Sequence, residues 1–313
     1  MILNQKSLIS ASDLAPEDVK NLFLLAQNFK LNNKTNLKNL LNSYSIALLF
    51  FEPSTRTQAS FELSAKRQGA DTIVLSGNHS SVQKGESLLD TLKTLEALNI
   101  DLFVLRHHQS GMPFFLSKKL QTPIINAGDG INEHPTQALI DAFTIESELG
   151  TVKDKKVLIL GDILHSRVAK SNITLLTMLG AKVFISGPPP SIPKHFNSSN
   201  IEHISFPEDI LPQVDAVMTL RVQKERHKQS LIPSHSDYHK HWGLTEKRAA
   251  LLPSHSIILH PGPTNPGVEI DQAVAESKNS MILKQVQNGL FIRSAVLTAL
   301  LAPKSFSLKE LSR

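Results

Sequence analysis

Short apolar runs alternate with segments of helical periodicity along the first part of the chain. Short, mostly apolar runs are typical of buried strands, whereas apolar residues spaced by three or four are typical of amphipathic helices. The predicted strands are Ser45–Phe51, Thr72–Ser76, Asp101–Leu105 and Pro123–Asn126, and helical patterns lie between them near Thr57–Gln68, Leu88–Leu98 and Pro113–Lys119. Strands that alternate with helices predict a parallel sheet flanked by helices.

The same alternation begins again after a predicted helix at Pro135–Leu149. The second series of predicted strands is Lys156–Leu160, Lys182–Ser186, Ala216–Leu220 and Ile257–His260. A chain of 313 residues exceeds the usual size of one core. We therefore expect an α/β fold with two domains, residues 1–134 and 135–287, joined by interdomain helices, with a C-terminal helix in 288–313 that packs back onto the first domain.

One polar segment, Arg221–Trp242, interrupts the second series. It is rich in lysine and histidine, and its length is uncommon for a plain connector. We interpret it as a mobile functional loop. Histidines 235, 239 and 241 in this segment invite a metal site, but no set of ligands in a fixed helical register accompanies them. We therefore predict no metal.

Composition excludes several classes of protein. The chain has no cysteine, so disulfide frameworks, thiolate metal sites and cysteine nucleophiles are excluded, and a reducing compartment fits. No apolar run approaches the ~20 residues that span a bilayer. The N-terminal stretch lacks the basic start and unbroken apolar run of an export signal. We expect a cytoplasmic protein without a membrane partner.

The net charge of +5 raises the question of a nucleic-acid partner. The 24 lysines are dispersed rather than clustered, which is typical of a solvated surface. A basic nucleic-acid-binding α/β protein is the competing interpretation, but it leaves the polar clusters at the strand ends unexplained. Four of the nine arginines, Arg56, Arg106, Arg167 and Arg221, lie at or just past the ends of predicted strands. Open α/β sheets bind ligands at that edge.

The first polar cluster, residues 51–57, reads Phe-Glu-Pro-Ser-Thr-Arg-Thr and joins a strand to a helix. Backbone N–H groups at the helix start, three hydroxyl groups and a guanidinium group would form a phosphate site there. The alternative is that Ser54 or Thr55 only caps the helix while Arg56 is solvated.

Further clusters in the first half are a polar loop that contains Ser80 and Lys84, the sequence Arg106-His107-His108, and His134-Pro135-Thr136-Gln137. A lysine loop is either plain surface or an active-site lid. A histidine at the helix start can donate to a developing oxyanion, and a glutamine amide can hold a planar NH₂ group. Alternatively, His134 only caps the helix.

In the second half, Arg167 and Arg221 each follow a strand, and a pair of arginines suits a dicarboxylate. Gly161-Asp162-Ile163-Leu164 is not the glycine-rich dinucleotide fingerprint, so a nicotinamide cofactor has little support. The sequence His260-Pro261-Gly262-Pro263-Thr264-Asn265-Pro266 either presents its carbonyl groups rigidly or is a structural turn.

Taken in order, these clusters resemble the motifs of the aspartate/ornithine carbamoyltransferase family along essentially the whole chain. Ser54-Thr55-Arg56-Thr57 and His134-Pro135-Thr136-Gln137 are similar to the family's carbamoyl phosphate site, and Arg106 matches its next contact. The resemblance implies transfer of a carbamoyl group from carbamoyl phosphate to an amine, without a cofactor. It makes the first domain the carbamoyl phosphate-binding domain and the second the aspartate-binding domain.

The resemblance also implies roles for individual residues. The phosphate would be bound by Ser54, Thr55, Arg56, Thr57 and Arg106, with Ser80 and Lys84 from a neighbouring subunit. The carbamoyl oxygen would accept from Thr57, Arg106 and His134, and the carbamoyl NH₂ would be held by Gln137, Gly262 and Pro263. Aspartate would be bound by Arg167, Arg221, Gln223 and Lys84. Active sites shared in this way imply a homotrimer.

Ornithine-using relatives carry a cysteine in the His-x-x-Pro loop, and this chain has none. The resemblance therefore favours L-aspartate, with N-carbamoyl-L-aspartate as the product, an early step of pyrimidine biosynthesis. A different amine substrate is the alternative, and Arg221 and Gln223 are the residues that discriminate. Pro266 replaces an arginine of many relatives. Association with regulatory or dihydroorotase-like chains has no local signature and stays open.

Overall fold

The computed structural model describes residues 3, 5–31, 39–76, 87–194, 199–222 and 234–302. The chain divides into two compact units, one of Met1–Leu139 with Val286–Arg313 and the other of Ile140–Gln285. Each unit contains one sheet whose strand pairs are all parallel. The predicted fold class, two domains that each contain a parallel sheet flanked by helices, is confirmed.

The sheet of the first unit has the strand order β2-β1-β3-β4. Its strands are β1 (Ser45–Phe50), β2 (Asp71–Ser76), β3 (Leu102–His107) and β4 (Ile124–Asp129). Its helices are α1 (Pro16–Leu31), α2 (Thr55–Arg67), α3 (Leu88–Ala97) and α4 (Met112–Ser117), and a short 3₁₀ helix spans Ala11–Asp13. Side chains of β1, β3 and β4 form a core with α3 and α4, which includes Leu49, Leu92, Phe103, Leu116 and Ile124.

The order of the first sheet determines where a ligand can bind. After β1 the chain adds β2 on one side and then returns to add β3 on the other side. The carboxyl ends of β1 and β3 therefore flank a topological switch point, where open α/β sheets form a crevice. Phe50 is paired with Arg106 in the sheet, and the N–H group of Phe51 donates to the Arg106 carbonyl at 2.9 Å.

The sheet of the second unit has the strand order β7-β6-β5-β8-β9. Its strands are β5 (Lys156–Leu160), β6 (Lys182–Ser186), β7 (Ile201–His203), β8 (Ala216–Thr219) and β9 (Ile257–Leu259). Its helices are α5 (Pro135–Leu149), α6 (Arg167–Met178), α7 (His235–Trp242), α8 (Glu246–Ala249) and α9 (Gln272–Ala275), of which α5 begins in the first unit. Short 3₁₀ helices span Pro189–Ser191, Pro207–Asp209 and Leu211–Gln213. The switch point lies between β5 and β8.

The last helix, α10 (Ile282–Leu301), begins in the second unit and continues in the first, where it contacts α2. The Ser64 hydroxyl donates to the Leu290 carbonyl at 3.0 Å, and the Gln68 side chain donates to the Ser294 carbonyl at 3.3 Å. The described part of the chain contains no helix that is both long and apolar enough to cross a membrane.

Two sequence predictions were wrong in their placement. Arg106 and His107 lie inside β3, because the strand continues through the polar residues that pair with β1 and β4. The end of the Arg221–Trp242 segment is the helix α7 rather than a loop. Ser234 caps α7 through a hydrogen bond from the Asp237 N–H group, and Tyr238 anchors it in the core. The remaining positions of that segment from residue 223 to 233, and with them the predicted mobility, lie outside the described residues.

Candidate active site

The first turn of α2 follows the end of β1 and carries the residues of the predicted phosphate site. Pro53 has no N–H group and ends the strand pairing, and Ser54 takes the N-cap position without a side-chain capping hydrogen bond. The first hydrogen bond of the helix runs from the Gln58 N–H group to the Ser54 carbonyl at 3.0 Å. The N–H groups of residues 55–57 therefore lie at the helix start, before the first donor of the helical hydrogen-bond series. Thr57 is buried and Arg56 is exposed. Ser54 thus makes no side-chain cap of this helix, and the roles of Thr55 and Arg56 stay predictions.

Arg106 lies beside this turn on the neighbouring strand. Its Nη2 is 2.7 Å from Glu52 Oε1, and its Nη1 donates to the Ala127 carbonyl at 3.3 Å. The two contacts hold the plane of the guanidinium group at the carboxyl end of β3, where only 8% of the residue is exposed. The sequence did not assign a role to Glu52, although its place in the first polar cluster was a signal.

A buried aspartate, Asp129, fixes the turn that carries His134. It is 1% exposed and lies at the end of β4. Its carboxylate accepts from the N–H groups of Gly111 (2.6 Å) and Glu133 (2.9 Å) and from the amides of Asn126 (2.8 Å) and Asn132 (3.1 Å). Sequence reasoning missed this residue, and its one signal was the Asp-Gly pair after a strand.

His134 and Gln137 are placed by the start of α5. The His134 carbonyl accepts from the Gln137 N–H group at 2.9 Å, so the main chain of His134 opens the helix. Both residues are more than nine-tenths buried. The structure thus places Thr57, Arg106, His134 and Gln137 in the first unit, each at the start of a helix or the end of a strand. The proposed donor role of the His134 ring stays a prediction.

His107 does not add positive charge to this edge of the sheet. Burial, with a smaller contribution from His108, lowers the pKa of His107 to about 4. Its Nδ1 accepts from the Gln109 N–H group at 3.0 Å, and its ring stacks on His108 with 4.3 Å between centroids. His107 is therefore neutral near pH 7, and the arginines supply the positive charge.

Arg167 opens α6 at the switch point of the second unit. Ser166 caps the helix by accepting from the Ala169 N–H group at 3.2 Å. The preceding turn is held by Asp162, whose carboxylate oxygens lie 3.0 and 3.2 Å from His165 Nδ1. Arg167 itself is 4% exposed. Sequence reasoning did not identify Asp162 or the pairing with His165.

Arg221 lies at the carboxyl edge of the same sheet, two residues after the end of β8. Because β5 and β8 are adjacent and parallel, Arg167 and Arg221 follow neighbouring strand ends. The topology thus brings them to one edge of the sheet. Gln223 lies outside the described residues, as do Ser80 and Lys84, and their assigned roles stay predictions.

The segment from His260 to Asn265 follows β9 and is tied to its surroundings by hydrogen bonds. The Gly262 N–H group donates to His260 Nδ1 at 2.7 Å, and Gly262 has a φ of +67°, which favours glycine. The peptide bond from Gly262 to Pro263 is cis. Pro266 forms a β-bridge with Ile270.

Histidines 235, 239 and 241 all lie on α7. His239 Nε2 is 2.6 Å from Asp271 Oδ1, so this residue packs against the turn before α9. Within the described ranges, no group of three or more histidine, cysteine, aspartate or glutamate side chains is arranged to hold a metal ion.

Both halves of the chain match family models. Residues 6–147 match the carbamoyl-P binding domain of aspartate/ornithine carbamoyltransferases, and residues 153–300 match the Asp/Orn binding domain. The chain is 48% identical to an aspartate carbamoyltransferase catalytic subunit of Acidothermus cellulolyticus, over 95% of this chain and 92% of that protein. It is 44% identical to the corresponding protein of Ruminiclostridium cellulolyticum, over 95% and 96%.

Solved structures of aspartate transcarbamoylases also match this chain along most of its length. The aspartate transcarbamoylase of Trypanosoma cruzi in complex with carbamoyl phosphate has a TM-score of 0.88 and 31% identity, covering 96% of this chain and 98% of that one. The catalytic subunit of M. Jannaschii aspartate transcarbamoylase has a TM-score of 0.84 and 31% identity, covering 97% of this chain and 100% of that one. Because the matches span both units, the chain belongs to the aspartate/ornithine carbamoyltransferase family.

Proposed function

We propose that this protein is an aspartate carbamoyltransferase catalytic subunit, which transfers the carbamoyl group of carbamoyl phosphate to L-aspartate and releases phosphate. Relatives of 43 to 48% identity carry that name, and T. cruzi relatives were solved with carbamoyl phosphate, aspartate and N-(phosphonacetyl)-L-aspartic acid. The observation that carries the proposal is the cluster of hydroxyl and N–H groups at the start of α2, beside the guanidinium group of Arg106. The product, N-carbamoyl-L-aspartate, belongs to pyrimidine biosynthesis.

The first unit binds carbamoyl phosphate in this proposal. The hydroxyls of Ser54, Thr55 and Thr57 and the first N–H groups of α2 donate to the phosphate, and Arg56 and Arg106 add charge. Positive charge at the phosphate stabilises it as a leaving group. A helix N-terminus favours an anion for the same electrostatic reason.

The carbamoyl group needs donors on its oxygen and acceptors for its NH₂. Thr57, Arg106 and His134 donate to the oxygen, where negative charge develops when the amine attacks. The Gln137 side chain and the carbonyl groups at Gly262 and Pro263 accept from the NH₂. This pattern distinguishes a carbamoyl group from an acetyl group, because only the carbamoyl group has protons to donate there.

The second unit binds aspartate. Arg167, Arg221 and Gln223, with Lys84 of a neighbouring subunit, hold the two carboxylates so that the neutral amine points at the carbonyl carbon. Such positioning contributes about 7 kcal/mol or more in well-oriented systems. We assign no side chain as the base, since the departing phosphate can accept the proton.

The substrate assignment is tested by measuring carbamoyl transfer to L-aspartate and to L-ornithine in parallel. We expect transfer to aspartate alone, and a loss of about 10²-fold in Arg56→Ala, since a charged donor to the phosphate is removed. Arg67→Ala is the matched control, because Arg67 lies in the last turn of the same helix. Transfer to another amine alone would overturn aspartate as the substrate and favour the alternative.

A homotrimer with shared active sites is part of the proposal, because Ser80 and Lys84 are assigned to a neighbouring subunit's site. Arg56→Ala and Lys84→Ala proteins should each be nearly inactive. After the two are dissociated and mixed, about a quarter of the sites combine an intact Arg56 with an intact Lys84, so activity should return. If no activity returns although mixed trimers form, the sites are not shared.

The remaining expectations about partners and location stay predictions. A cytoplasmic location is one of these predictions, and fractionation of producing cells tests it. Copurification from the same cells tests for regulatory or dihydroorotase-like chains.

A further inference from the structure

One buried carboxylate of the second unit, Glu269, joins two segments that are far apart in sequence. It is 1% exposed. Its Oε2 accepts from the Val222 N–H group at 3.4 Å and from the Asn265 side-chain amide at 3.1 Å. Its Oε1 accepts from the Asn265 N–H group and lies 3.2 Å from His260 Nε2. Glu269 therefore contacts both the chain after β8 and the segment after β9.

The hydrogen bonds determine which nitrogen of His260 carries the proton. Its Nδ1 accepts from the Gly262 N–H group at 2.7 Å, so it has no proton of its own. A neutral histidine then carries its proton on Nε2, which donates to Glu269. The chain of bonds from Glu269 through His260 thus reaches the main chain of Gly262.

All four groups around the Glu269 carboxylate are donors. An ionised carboxylate is the one side-chain group of this size that only accepts and has capacity for four hydrogen bonds. Burying a charge without partners costs several kcal/mol, and these bonds offset that cost. A glutamine in the same place would turn an NH₂ group toward donors.

The two segments also meet through the Asn265 side chain. Its amide donates to the Val222 carbonyl at 3.3 Å as well as to Glu269. Val222 packs with Tyr238 and Val268 in a small apolar cluster, and Tyr238 is fully buried. A side chain at Gly161 would place its Cβ 2.9 Å from the Tyr238 hydroxyl, so the end of β5 lies against the same cluster.

We infer that Glu269 is a positioning residue that holds Arg221 and the main chain at Gly262 and Pro263 in one fixed arrangement. Arg221 directly precedes Val222, and the carbonyl groups of the second segment are the proposed acceptors for the carbamoyl NH₂. Glu269 is assigned no contact with either substrate. The inference rests on the proposed function, because both segments act on substrates only in that reaction.

Glu269→Gln is the test, with Asp215→Asn as a matched control. Asp215 is also a largely buried carboxylate of this unit, but it accepts from the Lys156 N–H group at 2.8 Å at the opposite end of the sheet. In Glu269→Gln we expect hydrogen exchange at Val222 and Asn265 to accelerate by about tenfold or more. In Asp215→Asn, exchange at these two amides should stay at the wild-type rate.

Kinetics separate a positioning role from a loss of stability. A misplacement of about 1 Å costs roughly 10²-fold, so kcat/KM for aspartate should fall by about that factor in Glu269→Gln. The dissociation constant of inorganic phosphate should change by less than about twofold, because the residues that hydrogen-bond to Glu269 are not among the proposed phosphate ligands. If Glu269→Gln does not fold, Glu269→Asp takes its place in the test. This variant keeps the negative charge but has a shorter side chain, so hydrogen exchange at Val222 and Asn265 should accelerate in the same way.

Each remaining outcome has a defined meaning. Unchanged exchange at Val222 and Asn265 would overturn the structural tie, and accelerated exchange with unchanged kcat/KM would overturn the positioning role. A wild-type protein that binds phosphate but does not carbamoylate aspartate would overturn the proposed substrate. In that case the exchange measurement still decides whether Glu269 joins the two segments.

Discussion

Replacing Arg106 with alanine is expected to lower kcat/KM for carbamoyl phosphate by about 10³-fold, the largest effect of any single substitution in the proposed site. Thr57 and Arg106 are assigned to both the phosphate and the carbamoyl oxygen, and Arg106 is the charged one of the two. Its loss therefore removes a charged donor from the leaving group and from the developing oxyanion. Steady-state kinetics with carbamoyl phosphate as the varied substrate measures the effect.

Arg106→Ala also removes the ion pair with Glu52, in which Nη2 lies 2.7 Å from Oε1, and this is expected to cost about 1 to 3 kcal/mol of stability. The double variant Arg106→Ala/Glu52→Gln also removes the charge of Glu52. We expect it to recover most of the free energy of unfolding and none of the activity. Recovery of activity together with stability would show that Arg106 acts only as a structural partner of Glu52.

Replacing Arg221 with alanine is expected to lower kcat/KM for L-aspartate by about 10²-fold or more, because a carboxylate then loses a charge-assisted and bidentate partner. Arg221→Lys keeps the charge without the planar pair of donors and should recover only part of the loss. The dissociation constant of carbamoyl phosphate should stay within about twofold, since Arg221 is not among its proposed ligands.

Lys182→Ala is the matched control for Arg221→Ala. Lys182 is an exposed cation at the first position of β6, at the opposite edge of the same sheet. Lys182→Ala removes one positive charge from the second unit, as Arg221→Ala does, so a general electrostatic effect on aspartate binding would appear in both variants. An equal loss in the two, or an unchanged KM for aspartate in Arg221→Ala, would remove Arg221 from the aspartate site.

The elements that carry the site were predictable where one local pattern dominates. The run Ser45–Phe50 is apolar and buried at five successive positions, so it is identified as a central strand by composition alone. The same holds for β3 and β5. Since parallel strands end at one edge, the order of strands and helices was also sufficient to place Arg167 and Arg221 at a common edge.

The helix α7 and the strand β7 were missed because their local signals are weak. The segment His235–Trp242 is polar, and it packs through one fully buried side chain, Tyr238, and partly through Trp242. β7 spans only Ile201–His203 at the edge of its sheet, with two of its three residues exposed. Apolar periodicity cannot identify an element that buries so few side chains.

The sequence by itself determined the fold class, the alternation of the central strands with helices, and the motifs that identify the family. Only the tertiary structure decided which polar groups meet: Glu52 with Arg106, Asp129 with the turn before His134, and Glu269 with Val222 and Asn265. The physical reason is that apolar burial repeats with the period of a strand or helix and can be read locally. A buried hydrogen bond instead depends on the geometry that two distant segments reach after packing, and no local pattern records it.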